Sequence, residues 1–383
     1  SRGLGDVYKR QALAYAAKIK LYQAYQQDEI THAVTSINKE LLREVVSLCD
    51  QVTASNRYGL LDDFQGLDLV ANENGKESVF AIQYSMNDGT ESAGRINWSN
   101  LLNSPGGGSP YGGDGFFLPS QDLINAYQTD ANGLPDFNYQ SKSDYSWAVL
   151  NNGVYTLQNT TPNVDPRLDF VVGRPTITWK TYPDKPCEGW VRDKETYGYN
   201  CAKRFWVSPE SSDMFNGWPW GASQLNWQII RYADILLWKA EALIELNEGD
   251  GLETARDLIN QIRNRARNSA YVKDFNDHSK YAANYLVNPY PADVWNQDYA
   301  RQALRWETRL EKALEGERFF DLVRWGIVET TMNNYITAES DNRIYYANAH
   351  FTGGKDEYYP VPNNQYGFSG GKYVQNPGYA PFN

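Results

Sequence analysis

The chain has 383 residues and a formal charge of −11 at pH 7, from 47 acidic against 36 basic side chains. That balance disfavours nucleic acid and anionic membrane surfaces as partners. The charged fraction is 22% and no stretch approaches the roughly 18 apolar residues of a membrane-spanning helix, while the length suits a substantial core in one or two domains. Aromatic residues make up 14%, with 28 Tyr and 12 Trp. Such a load suits carbohydrate, because an indole or phenol face matches the apolar face of a sugar ring while polar groups read its hydroxyls. Many of these rings must still be ordinary core.

Residues 1–11 show no apolar signal-peptide run and no lipoprotein cysteine. The stretch Asp6 to Gln11 reads like the translation of a sequencing adapter, so 1–11 is expected to be a non-native leader, with native sequence from near Ala12. Ala12, Ala16, Ile19, Leu21 and Tyr22 recur at helical spacing over 12–25, and Ala33, Ile37, Leu41, Val45 and Leu48 over 29–52. The two read as a helical hairpin of the tetratricopeptide type. Tyr58 to Phe64 reads as a loop, and the alternation in Glu77 to Tyr84 as a short strand. Residues 12–84 thus form a first segment.

The segment 85–225 differs in kind, being rich in Gly, Pro, Asn and aromatics. Ser104 to Gly115 is a glycine-rich loop, and Leu118 to Tyr127 is a short helix with Ser120 as its N-cap. Asp130-Ala-Asn-Gly133 resembles the start of a calcium loop, but the remainder of an EF-hand is missing and a plain turn is expected. Trp98, Tyr111, Trp147, Tyr155, Trp218 and Trp220 lie in loop-like stretches, where functional residues concentrate, and are the candidate ring platforms for a sugar. Trp238 and Trp325 sit on patterned helices and read as core. Cys187 and Cys201 flank a short segment and could form a disulfide in an exported protein; Cys49 falls on a helix face and reads as buried. No metal spacing, phosphate loop or nucleophile elbow is present, and His32, His278 and His350 fall in no recognisable motif.

In 226–383, Ile229, Ala233, Leu236, Leu237, Ala240 and Leu243 make one stripe, and Leu252, Ala255, Leu258, Ile259, Ile262 and Ala266 its partner. Asn247 to Gly251 is the turn between them, with glycines suited to ending the first helix. Trp306 to Gly326 reads as a helix whose Glu307, Glu311 and Glu315 share a face, with Arg309, Arg318 and Arg324 close enough to neutralise them. That row invites a metal or acid–base reading, but an Arg–Glu network joining helices explains it better. Gly316, within the pattern, points to close packing or a kink. Pro360 and Pro362 impose an extended run, and Asn376-Pro-Gly378 a turn.

Taken in order, Arg231 to Ala242 with Ala255 to Ala266, Trp306 to Gly326, and Tyr359 to Pro362 with Gln375 to Tyr379 resemble the SusD/RagB family of outer-membrane, glycan-capturing lipoproteins. Upstream, Tyr58 to Phe64 followed by Glu77 to Tyr84, Pro119-Ser-Gln-Asp-Leu123 and Asp165-Pro-Arg167 are similar to the family more weakly. The resemblance implies a mainly α fold, with tetratricopeptide-type hairpins and a large irregular region carrying short strands. It implies a non-catalytic surface protein that captures oligosaccharide or polysaccharide and delivers it to a SusC-like TonB-dependent transporter, with no cofactor. It places the protein at the outer membrane as a surface-exposed lipoprotein, touching the bilayer only through an N-terminal lipid anchor upstream of this chain. The export signal and first helices are expected to lie there too. In the family the Glu-rich block is structural, which leaves sugar recognition to 85–225. Two other readings stay open: a glycoside hydrolase, which needs two carboxylates about 5–10 Å apart, and a tetratricopeptide scaffold that binds protein.

Overall fold

The computed structural model describes residues 4–91, 94–103, 106–145, 148–151, 154–157, 162–182 and 189–382. Helix α1 is Leu4–Ala24 and α2 is Lys39–Thr53. Their seam is set by a shared spacing: Ala14, Ala17, Leu21 and Ala24 on one face, Leu42, Val45, Cys49 and Val52 on the other, all fully buried. The alanines let the axes approach closely. The buried face of α1 is therefore not the expected one, and Ile19 remains 54% exposed. Burial pushes the Cys49 thiol up to about 12, as befits an inert core cysteine.

The run 29–37 is not helical, contrary to the sequence reading. Strand β1, Tyr25–Gln27, pairs antiparallel with β2, Val34–Ile37. The turn is built by Asp28, whose carboxylate accepts the Ile30 and Thr31 N–H groups at 3.0 and 2.7 Å. Asn38 then caps α2 by accepting from Glu40 and Leu41 N–H at 3.0 and 3.2 Å. A β-branched run between two Asx turns outweighs a weak helical period.

Strand β3, Ser78–Ile82, lies in the expected place. Helix α3, Gln121–Ala126, starts as expected, with Ser120 Oγ accepting the Leu123 N–H at 3.2 Å. At Asp130 the carboxylate accepts from the Asn132 and Leu134 N–H groups, and Gly133 has φ +72°, so the residues form a turn closed on itself. Among the described residues no cluster of three or more His, Cys, Asp or Glu is placed to hold a metal ion. Strands β4, Ala148–Asn151, and β5, Val154–Leu157, form a hairpin. Strand β6, Trp227–Arg231, pairs with β3, and so ties the first segment to the last.

Helices α4, Tyr232–Leu246, and α5, Gly251–Asn268, form the second hairpin. Helix α4 packs against α2, α5 and helix α6, Gln297–Glu311. It is therefore buried almost all round, including Trp238, instead of along one stripe. Its C-cap is Asn247 in the left-handed conformation (φ 50°, ψ 51°), a role expected of the glycines that follow. Helices α7, Arg318–Arg324, and α8, Val328–Glu339, complete the bundle.

The Glu-rich block is two helices, not one. The chain leaves α6 at Glu311, passes through Leu314 at φ +66° and Gly316 at φ +85°, and re-enters helix at Arg318. A Cβ on Gly316 would meet nothing within 4 Å, so the glycine serves backbone conformation and not close packing. The carboxylates form a buried ion network. Arg231 binds Glu77 at 2.7 Å, Glu311 at 3.0 Å and Glu315 at 2.7 Å. Arg167 binds Asp165 and Glu307, each at 2.6 Å, and Arg263 binds Glu307 at 3.0 Å. Arg265 binds Glu77 at 3.2 Å and also Glu311. Strand β6, helices α5 and α6 and the 165–167 segment are thereby held together. No described helix is long and apolar enough to cross a membrane.

Candidate functional site

The loop region is organised around Tyr111. This ring is 1% exposed and lies 5.0 Å from Trp206, 6.0 Å from Trp179 and 6.3 Å from Trp190. Its hydroxyl donates to the Val207 carbonyl at 2.6 Å and accepts from Trp179 Nε1 at 2.9 Å. Both polar atoms are satisfied inside an apolar cluster. Tyr111 is therefore core, which corrects its assignment as a platform: a platform must show a ring face to solvent. Cys201 packs buried in the same cluster; Cys187, with which it could form a disulfide, lies outside the described residues.

Two loops lie over this cluster. Residues 214–223 fold back on themselves through the Met214–Ser223 bridge and the Phe215 N–H donated to Ala222 O at 2.9 Å, placing Trp218 and Trp220 at the tip. The loop that carries Trp98 is tied in by Asn97 N–H donating to Ser223 O at 2.9 Å and by Asn100 Nδ2 donating to Phe205 O at 3.0 Å. Two glycines let the layers approach. A Cβ on Gly112 (φ +66°) would lie 3.2 Å from Trp220 Cβ, and one on Gly221 (φ +74°) would lie 3.0 Å from the Trp206 ring. The outward rings are Trp98 at 47%, Trp218 at 61% and Trp220 at 51% exposure. Sequence reasoning missed Phe116, 74% exposed, whose N–H donates to Leu102 O at 3.0 Å; its position after the glycine-rich run was the available signal. Arg192 donates to Gly113 O at 2.9 Å and to Asp114 at 3.3 Å, supplying polar groups at the edge. Tyr155 stands on β5 opposite Leu150, and Trp147 lies outside the described residues.

The 207–213 stretch below Tyr111 also walls a cleft of about 920 Å³. Its lining mixes hydrogen-bonding side chains with Leu61, Leu69, Val70 and Phe170. Thr181 Oγ1 donates to Ser208 Oγ at 2.7 Å, Ser211 Oγ donates to Asp213 at 3.1 Å, and Lys180 Nζ donates to Asp68 at 3.0 Å. Glu210, also in the lining, makes no hydrogen bond or ion pair with a described residue. A hydrogen bond from Lys76 holds the Asp62 carboxyl below its ordinary range. Among the described residues, burial pushes the carboxyls of Glu73, Asp234, Asp321 and Glu339 up, and none of these lines the cleft. The cleft thus offers acceptors and donors suited to reading hydroxyl groups.

The SusD family model matches residues 76–379. No curated protein matches the chain. Among solved structures, a SusD homologue from Bacteroides thetaiotaomicron superposes with a TM-score of 0.63 at 19% identity, over 97% of this chain and 64% of that one. A surface glycan-binding protein A from Bacteroides fluxus gives a TM-score of 0.57 at 19% identity, over 96% and 62%. A laminarin-binding SusD-like protein gives 0.52 at 19%, over 97% and 62%. At such identities the likeness is one of fold. The chain spans about 64% of the first of these relatives.

Proposed function

The chain belongs to the SusD family, and on that premise we propose that it is a non-catalytic, cell-surface glycan-binding protein that holds oligosaccharide or polysaccharide on its loop face. The observation that carries this reading is the set of exposed indole rings, Trp98, Trp218 and Trp220, on loops tied over a buried aromatic cluster whose Val207 side borders a cleft. Rings fixed from below give a sugar an apolar face at low entropic cost, and the cleft's hydroxyls and carboxylates suit its edge. Similarity to proteins described as laminarin-binding and surface glycan-binding supports the same ligand class. Delivery to a SusC-like TonB-dependent transporter, with the helical hairpins as docking face, and attachment to the outer membrane through an upstream lipid anchor complete the proposal.

Affinity electrophoresis on a panel of polysaccharide gels tests it. The wild-type protein should be retarded on at least one neutral polysaccharide, and the Trp218→Ala/Trp220→Ala protein should run close to its mobility in a blank gel. Release of reducing sugar by the purified wild-type protein would favour the hydrolase reading instead.

A further inference from the structure

A second cavity, of about 450 Å³, lies between α3, the break after α6, α7 and α8, with none of Trp98, Trp218 and Trp220 in its lining. Three cations line it, and two are neutralised within the protein. Arg309 binds Asp122 at 2.6 Å and donates to the Tyr139 hydroxyl at 2.9 Å. Lys312 binds Asp234 at 2.5 Å and Glu315 at 2.9 Å. The third, Arg318, forms no ion pair with any described residue; Nη1 makes one long bond, 3.4 Å, to the Arg305 carbonyl. Its other nitrogens make no hydrogen bond with a described residue; the guanidinium carbon lies 5.9 Å from the Trp325 ring centroid, and the residue lines the cavity. Among the described residues Asp122 is the only carboxylate in the lining, and it is spent on Arg309. Glu339, behind it, accepts the Asp122 N–H, and Asp321 lies on Arg324 at 2.9 Å. Burial, and then the neighbouring Arg309 guanidinium, pulls Arg318 below the ordinary arginine value, the direction expected of a cation without a counter-ion. The remaining wall combines the hydroxyls of Tyr139, Tyr335 and Thr331 with Leu123, Phe319 and Met332.

We propose that this cavity binds a small organic anion, a carboxylate on a hydroxylated ring of monosaccharide size, with Arg318 as its counter-ion. A guanidinium offers a planar fork matched to a carboxylate, and the tyrosine hydroxyls and apolar wall suit the ring that carries it. The choice of a sugar acid as that ring rests on the glycan-binding reading; the need for an anion does not.

Calorimetric titration with galacturonate, glucuronate, glucose and sodium sulfate tests this on the full chain, with circular dichroism to verify folding. Wild-type protein should bind one uronate saturably and glucose not at all. Arg318→Gln should weaken uronate at least about tenfold. Met332→Trp, which fills the cavity and keeps the arginine, should do the same. Trp218→Ala/Trp220→Ala should bind uronate as wild type does, so failure of the loop platform and failure of the cavity are read separately. Absence of uronate binding to the folded wild-type protein, or unchanged binding by both folded cavity variants, would overturn the proposal. Sulfate bound as tightly as uronate in all of these proteins would overturn it too, by marking a nonspecific anion effect.

Discussion

Trp218 and Trp220 reach solvent because smaller residues beneath them leave room for the layers to meet. Gly221 needs φ +74° and has the Trp206 ring 3.0 Å from where a Cβ would stand. Gly221→Ala should therefore cost about 1–3 kcal/mol, measured as a lower midpoint in urea, and should weaken glycan retention by tilting the loop. Trp218→Ala and Trp220→Ala should each leave the midpoint nearly unchanged, since both rings are mostly exposed. Each should reduce binding by roughly 0.5–1.5 kcal/mol, the worth of one ring contact. Residue type and loop context were enough to expect Trp98, Trp218 and Trp220 at the surface, where they lie. They could not separate these from Tyr111, because a ring beside glycines can close over a buried cluster as readily as face water. Which way Tyr111 points depends on Trp179, Trp190 and Trp206, 68, 79 and 95 positions away by their numbering.

At the scale of elements, α4 and α5 were legible because their apolar and alanine positions recur over many turns, and the Glu row was legible as an Arg–Glu network. Its cations, however, are Arg167, Arg231, Arg263 and Arg265 from other segments and not the expected Arg309, Arg318 and Arg324 of the same block, two of which bind Asp122 and Glu241 instead. The 29–37 hairpin was not, because the turn chemistry of Asp28 and Asn38 is local while the helical period there was borrowed from α2. Asn38→Ala should cost about 1 kcal/mol through lost capping, read as a small fall in the urea midpoint. The break at Gly316 was visible as a glycine, but its cause, a left-handed backbone, needs coordinates. Glu311 touches Arg167, Arg231 and Arg265. Glu311→Gln should leave these cations under-paired in a dry interior and destabilise by about 3–5 kcal/mol, enough to move the urea midpoint substantially.

Across the whole molecule, the buried network makes stability depend on acid. Burial pushes the carboxyls of Asp122, Asp165 and Glu311 up, but Arg309 for the first, Arg167 for the second, and Arg265 and Arg231 for the third outweigh it, so all three lie below their ordinary values. The unfolded chain therefore binds more protons than the native one. The stabilisation is fully present above the unfolded carboxylate values, near pH 4, and is lost as pH falls through the lower folded ones. Asp234 and Asp321 are raised and oppose this in part. Urea midpoints should change little between pH 7 and 5 and fall steadily below about pH 4, with a shallower fall in Glu311→Gln. The same network ties Asp165 and Arg167 to the helical frame, so the helices identify the fold, while recognition is what the proposal assigns to the loops. The most direct test of that division is retention of wild-type and Trp218→Ala/Trp220→Ala proteins on polysaccharide gels, with matched circular dichroism. The expected result is retardation of the wild-type protein and its loss in a variant that remains folded; equal retardation of the two would contradict the assignment of the loop tryptophans as the glycan platform.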